Sequence, residues 1–554
     1  MSGTTTEACT AVAANKENPV INGGYGLLAA AMGNVSHDEH QDVHVRLTSF
    51  AELATTTQPL MLDSYQRAYV WTEEKVIQLL EDFAEFIAGE SLDSQYYLGT
   101  LLFHQKEHQG QSCYCVIDGQ QRLTTLAVLY WLLKGMLPDF VQFEFRSSYS
   151  LVNVQQAKNT MQEWLKQHLD SYSTLVTLFA QLRFTVITVT REDLAFTFFD
   201  TQNNRGVPLG STDLLKAFHL RAIQSGDLQL VEQLQSHCAR KWEQVQQRGE
   251  LVKKSKRYDF APDLFHYYLW RARNWRGSDV NELDSRDEML SHFGEQSRVS
   301  KIGQVRLYPG GANQWGRKLE LTVSNDYRLT PAVQQFGQQA SHLPFSMQQP
   351  ISRGVGFFLY AEKYANLLQQ LLFSPSFEPE INATQQFYKN VVCTLSAYLQ
   401  SLFRLALLIY FDRLGSQGLM RCALYLDHRF GALRLSKSDV RRETPLKFLR
   451  EAKRNLLDVI SSAYDGDEII NFLQQDNVDG IYAQNDGWQK EILNKGNKVQ
   501  GRYVTAVADY YKLSRLSLKT AQCMDDKVRA ELSNSRQDHG LHQSKEDPYG
   551  SVFL

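Results

Sequence analysis

The sequence of 554 residues has no long apolar run free of polar side chains. Its most apolar stretch, residues 395–411, contains Gln400 and Arg404, whereas a bilayer span needs about 20 mostly apolar residues. That stretch reads as a core helix of a bundle. An excess of one charge is also lacking. Lys and Arg total 58 against 61 Asp and Glu, a formal net charge of −3. A globally basic nucleic-acid coat is therefore excluded, and any such contact must come from local patches. The 7 cysteines, at 9, 113, 115, 238, 393, 422 and 523, are scattered. Only Cys113 and Cys115 lie close together, and alternate residues of a strand point to opposite faces. Without a second pair they make a poor zinc site. Such thiols, with no secretory signal ahead of them, fit a soluble protein of the reducing cytoplasm. A GxxxxGK[ST] phosphate loop is missing too: Gly496-Asn497-Lys498-Val499-Gln500-Gly501 is only superficially like one. No repeat of fixed period appears in the second half.

What is present is an ordinary globular mixture, 43% hydrophobic and 21% charged. The length suits two to four domains of about 100–200 residues each. Residues 1–42 are polar and read as a flexible tail with a short helix near 25–32. His37, His40 and His44 there sit beside Asp38 and Glu39 in a solvated segment. From residue 43 the pattern changes. Residues 74–88 repeat apolar side chains at 76, 79, 80, 83, 86 and 87, a helical period. Strand-like runs at 96–104 and 112–117 flank a polar, glycine-containing link and predict a hairpin. Asp118-Gly119 then turns the chain into a helix over 120–134. Helix over 151–182, a strand over 183–189, helix over 191–199, a polar loop over 200–206 and a helix over 211–222 follow. This mixture predicts an α+β domain over 43–225. Beyond it, amphipathic segments at 228–247, 263–273, 356–372, 384–414 and 446–464 predict a mostly helical region over 226–535. Residues 298–320 form a loop or small hairpin, and 536–554 a second tail.

Three constellations could carry chemistry. In Val116-Ile117-Asp118-Gly119-Gln120-Gln121-Arg122 a strand delivers the chain to a glycine able to adopt backbone angles closed to other residues. A helix begins there, and its free N–H groups and positive dipole end suit a phosphate. Arg122 could clamp a phosphate with two parallel bonds. Asp118 could hold Mg²⁺, and Gln120 or Gln121 could position an attacking water. The same residues equally suit a plain strand–helix corner capped by Asp118. The second constellation is Arg67, Tyr69 and Trp71, which share one face if extended. An arginine with two aromatic rings suits a phosphate and a stacked base, although an edge strand with its rings in the core has the same pattern. The third is the loop from Asp200 to Leu209, in which Asn203, Arg205 and Gly206 could reach an anion or simply link two helices.

Taken in order, these blocks resemble a known family. Arg67-x-Tyr69-x-Trp71, Tyr97-Leu98-Gly99, Val116–Leu126 and the segment from Phe199 through Lys216 are similar to the ParB-like N-terminal domain of GmrSD-type restriction proteins. The likeness covers residues 45–225, about a third of the chain, and Gln202 departs from the more usual apolar residue. It implies a ParB/sulfiredoxin-like α+β fold that binds and hydrolyses a nucleoside triphosphate (NTP) with Mg²⁺ in defence against foreign, often modified DNA. By position, Asp118, Gln120, Gln121 and Arg122 take the catalytic motif, with Asp118 also the metal ligand. Arg67, Tyr69, Trp71, Gly119, Thr124, Asn203, Arg205 and Gly206 complete the nucleotide site.

Many relatives also carry a C-terminal HNH-type nuclease domain. None of the 14 histidines here sits in such an array. The nearest, in Leu426-Asp427-His428-Arg429, lacks downstream Asn or His partners at suitable spacing. Basic patches remain for DNA: Lys253, Lys254, Lys256 and Arg257 in one short run, and Lys447, Arg450 and Arg454 on one helical face, with Arg442 and Lys453 nearby. Solvated helix faces have the same composition. The leading expectation is an NTP-dependent sensor or regulatory component of a DNA restriction or anti-phage system. Its partners would be DNA, a separate HNH-type nuclease subunit and further copies of itself. Two alternatives stand beside it: a metal-dependent nuclease acting through Asp118, and a non-catalytic DNA-binding scaffold.

Overall fold

A computed structural model describes residues 42–543, apart from 63–65, 90–93, 109–110, 144, 146–147, 169–171, 192–193, 196–197, 199–208, 249–258, 284, 309–316, 322–326, 332–341 and 488–498. The first part is α+β, as its alternating patterns predict. In chain order it comprises β1 (Val43–Ser49), α1 (Phe50–Ala54), β2 (Leu60–Leu62), α2 (Glu73–Gly89), β3 (Tyr96–His108), β4 (Gln111–Asp118), α3 (Gln120–Lys134), α4 (Ser148–Gln167), α5 (Tyr172–Gln181), β5 (Leu182–Val189) and α6 (Ser211–Arg221). The five strands form one mixed sheet in the order β1-β5-β3-β4-β2. β3 and β4 make the expected antiparallel hairpin, while β3–β5 and β4–β2 run parallel.

Both faces of the sheet are used, as the alternation along β5 requires. Leu182, Phe184 and Val186 are buried and join Leu101, Phe103 and Val116 on one face. There they meet α2 through Val76, Leu80 and Phe83, α3 through Leu123, Leu126 and Leu129, and α4 through Met161 and Trp164. On the other face Leu102 and Ile117 pack with Leu215, Ala217 and Leu220 of α6 and continue into the helical core. Thus α6 closes the α+β part in sequence but packs with the helices after it.

The second part comprises α7 (Leu228–Gln247), α8 (Ala261–Asp263, a π-helical turn over Leu264–Trp270, then Arg271–Asn274), α9 (Arg286–Leu290, continuing as a π turn over Ser291–Glu295), the hairpin β6–β7 (Arg317–Leu321, Tyr327–Pro331), α10 (Val355–Leu372), α11 (Pro379–Asn390), α12 (Ala397–Leu414), α13 (Leu419–Leu435), α14 (Glu443–Glu451), α15 (Leu456–Ser462), α16 (Gly466–Gln474), α17 (Asp479–Gln484), α18 (Val499–Tyr511) and α19 (Ala521–Gln543). α12 and α13 are buried on nearly every face, so the apolar run around 395–411 is a core helix. No helix among the described residues is long and apolar enough to cross a membrane.

Three long helices expected from periodicity are broken, the first being 151–182, which divides into α4 and α5 with Leu182 already in β5. The segment 384–414 turns at Val391–Thr394, where the Thr394 hydroxyl donates to the Val391 carbonyl at 2.6 Å. The Gln400 amide donates to the carbonyls of Cys393 and Leu395 at 2.9 and 2.6 Å, satisfying backbone acceptors that a helix end leaves open. The segment 446–464 stops at Glu451 and restarts as α15. Asn455 caps the new helix, accepting from Leu457 N–H at 2.9 Å, and ties it to the Gly277 carbonyl at 3.0 Å. Ser211 or Thr212 had the composition of a cap for α6. Gly210 holds that place instead, and its N–H donates to the Asp213 carboxylate at 3.2 Å.

Candidate functional site

The Asp118–Arg122 motif lies where β4 passes into α3. Gly119 has φ 98°, left-handed, and a Cβ there would run into Leu101 Cδ2. Glycine is thus demanded twice, by backbone angle and by space. No side chain caps α3, so Asp118 does not perform the capping role that a plain corner would give it. The first-turn N–H groups keep their positive end without a side-chain partner. Asp118 itself is 38% exposed and meets Arg122 Nη2 at 3.3 Å.

The two glutamines differ. Gln121 is buried, and its amide acts like a strand partner for the segment before α2: its Oε1 accepts from Val70 N–H at 2.8 Å and its Nε2 donates to Ala68 O at 3.1 Å. Gln120 is also buried, at 5% exposure, but its Oε1 has no hydrogen-bond partner. One turn on, Thr124 is 2% exposed, and its Oγ1 is likewise unpartnered. Residues four apart share a helix face, so both residues with an unmet polar atom lie on one face near the uncapped start of α3. Leaving a polar group buried and unpaired costs about 1–3 kcal/mol. A ligand supplying the missing partners would offset that cost.

Arg122 is committed to the sheet. Its Nη1 donates to Leu98 O at 2.7 Å and its Nη2 to Thr100 O at 2.7 Å, on either side of Gly99. That glycine has φ 97°, and a Cβ on it would lie 2.6 Å from Arg122 Nη1. The pairing register of β3 with β5 shifts at this point, so the guanidinium satisfies carbonyls that the irregular strand exposes.

Residues 66–71 run alongside the motif, and they divide. The Gln66 amide donates to the carbonyls of Val116 and Ile117 at 2.7 and 2.8 Å. Arg67 is half-buried and lies close enough to Asp213 to offset part of the rise that burial gives that carboxyl's pKa. Tyr69 departs from the expected base-stacking role. It is fully buried in the core, its hydroxyl pairs with Thr125 at 2.8 Å, and burial pushes its pKa up to about 12. Trp71 is half-buried against the same core.

The structure adds residues that motif reading did not single out. From α6, Lys216 Nζ donates to the Gln66 carbonyl at 2.8 Å. Asp213, one turn earlier, has its pKa raised by burial, with Arg67 and Lys216 pulling it back. Asp259 is pushed up to about 6 by burial and by the neighbouring Asp213, while the Gln246 amide and Ala261 N–H donate to it at 2.8 and 2.9 Å. Asp213 and Lys216 lie at the end of the Phe199–Lys216 block and could have been read from it. Asp259 had no sequence signal, because only folding brings it there.

Of the remaining expected residues, Asn203, Arg205 and Gly206, and Lys253, Lys254, Lys256 and Arg257, lie outside the described residues. Lys447 and Arg450 are exposed on α14 and Arg454 just beyond it. Arg450 also donates to Val280 O at 2.7 Å. His428 is buried, stacked on Tyr482 and set against Asp479 at 3.0 Å, and its neighbour Asp427 pairs with Lys519. Both belong to the helical core. Among the described residues no group of three or more His, Cys, Asp or Glu side chains could hold a metal ion. Mg²⁺ commonly takes one or two carboxylates and fills its shell with waters and substrate phosphates. The lone half-exposed Asp118 beside uncapped N–H groups fits that manner of binding.

With this geometry in view, comparison with protein families separates the two parts of the chain. Residues 50–220 match the GmrSD restriction endonuclease N-terminal domain. The motif resemblance thus holds at the level of a GmrSD-type restriction domain, covering β2 to β5 of the sheet and α6. Residues 234–490, most of the helical part, match a family of unknown function (DUF7834). No curated protein matches the chain. Lys216 therefore lies within the GmrSD-type domain, whereas Asp259 is supplied by the segment after it.

Proposed function

We propose that this protein is the nucleotide-dependent sensor or regulatory component of a DNA restriction or anti-phage defence system. It binds, and hydrolyses, an NTP with Mg²⁺ at the β4–α3 corner. The GmrSD-type match supports the restriction context. The observation that carries the nucleotide reading is the pair of buried, unpartnered atoms, Gln120 Oε1 and Thr124 Oγ1, near the uncapped start of α3. Phosphate oxygens accept from first-turn N–H groups and from the Thr124 hydroxyl. Gln120 Oε1 accepts from a donor such as a water or a ribose hydroxyl. Asp118 holds Mg²⁺, and Arg67 contributes positive charge from the adjacent segment. Arg122 acts mainly by fixing the corner through Leu98 and Thr100, so its loss would confound folding with catalysis. The helical part contacts DNA, and a separate HNH-type nuclease subunit performs any cleavage.

The decisive experiment is phosphate release with each of the four NTPs, with and without DNA. Wild type should release phosphate, while Asp118→Ala and Thr124→Val, both still folded, should lose at least about tenfold, as expected when an interaction of about 1.4 kcal/mol is removed. Equal turnover in Thr124→Val and wild type would sink the reading.

A further inference from the structure

Among the exposed rings that the proposed function leaves unused, one is tied to α14. Tyr267 lies on the π-helical turn of α8 and is 40% exposed, in a kind of turn that often marks functional sites. It is held firmly. The Arg271 guanidinium sits 4.9 Å from its ring centroid and 4.6 Å from that of Trp275, and the His266 ring meets it edge-on at 4.7 Å. Arg271 is anchored in turn by both oxygens of Glu282, at 3.1 and 3.0 Å. The same carboxylate lies 3.6 Å from Arg442, which is itself 57% exposed. Two residues before Glu282, the Val280 carbonyl accepts from Arg450. The ring and α14 are thus joined through one short loop.

Along that surface the segment 441–454 carries Arg441, Arg442, Lys447, Arg450, Lys453 and Arg454 against Glu443 and Glu451, and all six basic side chains are exposed. α14 turns its apolar side inward through Pro445 and Leu449, so its positive side is left to solvent. A basic strip beside a fixed aromatic ring is the arrangement that binds single strands: phosphates follow the charge while a base stacks on the ring. Duplex DNA offers base edges and not base faces, so it cannot use Tyr267 without opening.

We infer that the face formed by Tyr267, Arg442 and α14 binds single-stranded DNA, with one unpaired base stacked on Tyr267. This rests on the DNA-restriction reading but not on nucleotide turnover. The site would engage a displaced or unwound strand, which makes strand opening a step in recognition.

The test is fluorescence anisotropy of the full chain with a labelled DNA single strand, the matching duplex and the RNA strand. The DNA single strand should bind tightest. Tyr267→Ala should weaken it by about tenfold and leave the duplex unchanged, while Tyr267→Phe keeps wild-type affinity. Lys447→Gln combined with Arg454→Gln should weaken every nucleic acid and flatten the single-strand salt dependence by roughly 1.4 in log–log slope. Duplex or RNA binding as tight as the DNA strand overturns the inference, as does unaltered strand affinity in folded Tyr267→Ala. If that variant fails to fold, unaltered affinity in the Lys447/Arg454 double variant overturns it. Phosphate release by wild type without DNA is read in parallel, and its failure counts against the nucleotide reading alone.

Discussion

The two parts of the chain bury polar groups under different terms. In the helical part every principal buried charge is matched. Lys519 and Asp427 are both fully buried and meet at 2.7 Å, Tyr503 donates to both Asp427 oxygens at 3.2 Å, and Lys519 also reaches Tyr482 at 3.3 Å. Lys363 meets Asp412 at 2.5 Å and donates to Phe345 O. In the GmrSD-type domain, by contrast, Gln120 and Thr124 bury polar atoms that nothing answers. Closed networks are architecture, because a ligand could add nothing to them. An open pair on one helix face within the restriction-domain match is where a ligand has something to gain; the helical part also holds single unanswered atoms, His428 Nδ1 and Ser352 Oγ among them, but these lie outside that match.

The largest effect should come from breaking a closed network. Lys519→Met leaves Asp427 charged and alone, and thermal or urea unfolding should show a loss of about 3–5 kcal/mol. Adding Asp427→Leu should recover most of it, since removing both partners is often neutral. A full loss persisting in the double variant would mean that the pair is not the unit described.

Acid should have the next largest effect, at the seam where α6 packs on the helical part. His219 is fully buried, stacked on Phe357 at 3.8 Å, and placed between Phe293 O and Gly354 N–H. Burial lowers its pKa to about 3. Burial and then Arg273 lower that of His292 to about 4. Unfolded histidines titrate near 6.5, so between that value and about 4 the unfolded chain binds more protons than the folded one. Stability is therefore complete above pH 6.5 and falls as pH drops, by roughly 2–4 kcal/mol at pH 5 for the two together. Melting temperature measured at pH 7.5 and 5 reads this, and a flat profile would contradict the buried neutral rings.

The smallest effect is the sharpest. Thr124→Val removes an unanswered hydroxyl at nearly constant shape, so without nucleotide the protein should become more stable by about 1 kcal/mol. Nucleotide, which should raise the melting temperature of wild type by binding the folded state, should do so far less in the variant. Destabilisation instead would show that the hydroxyl already has a partner, and the contrast between the two parts would fail.

Much of the architecture was readable because it is local. The apolar spacing of 74–88 and 228–247 marked α2 and α7 nearly to the residue, and the hairpin and strand–glycine–helix corner followed from alternation and Gly119. What escaped was decided by contacts distant in sequence. The breaks at Val391–Thr394 and Asn455 interrupt plausible helical periods, and only side chains brought in by folding satisfy them. Tyr69 carried the same pattern whether it stacked a base or filled the core, since alternation tells which residues share a face and not which way that face looks. Asp259 joined Asp213 and Lys216 from far along the chain. The unmet atoms of Gln120 and Thr124 were beyond any motif, because satisfaction is a property of surroundings.

Arg122, the last residue of the Asp118–Arg122 motif, has a consequence for how such chains are found. Its fork grips two carbonyls and a carboxylate at once, a task that lysine, with a single compact head group, cannot perform. The signature therefore describes a joint before it describes a reaction. A chain that had given up turnover would still need the same letters to keep its strand seated, so a search built on them would recover working and silent members alike. The letters that report activity should instead be ones the scaffold can spare, and Thr124 is the first place to look.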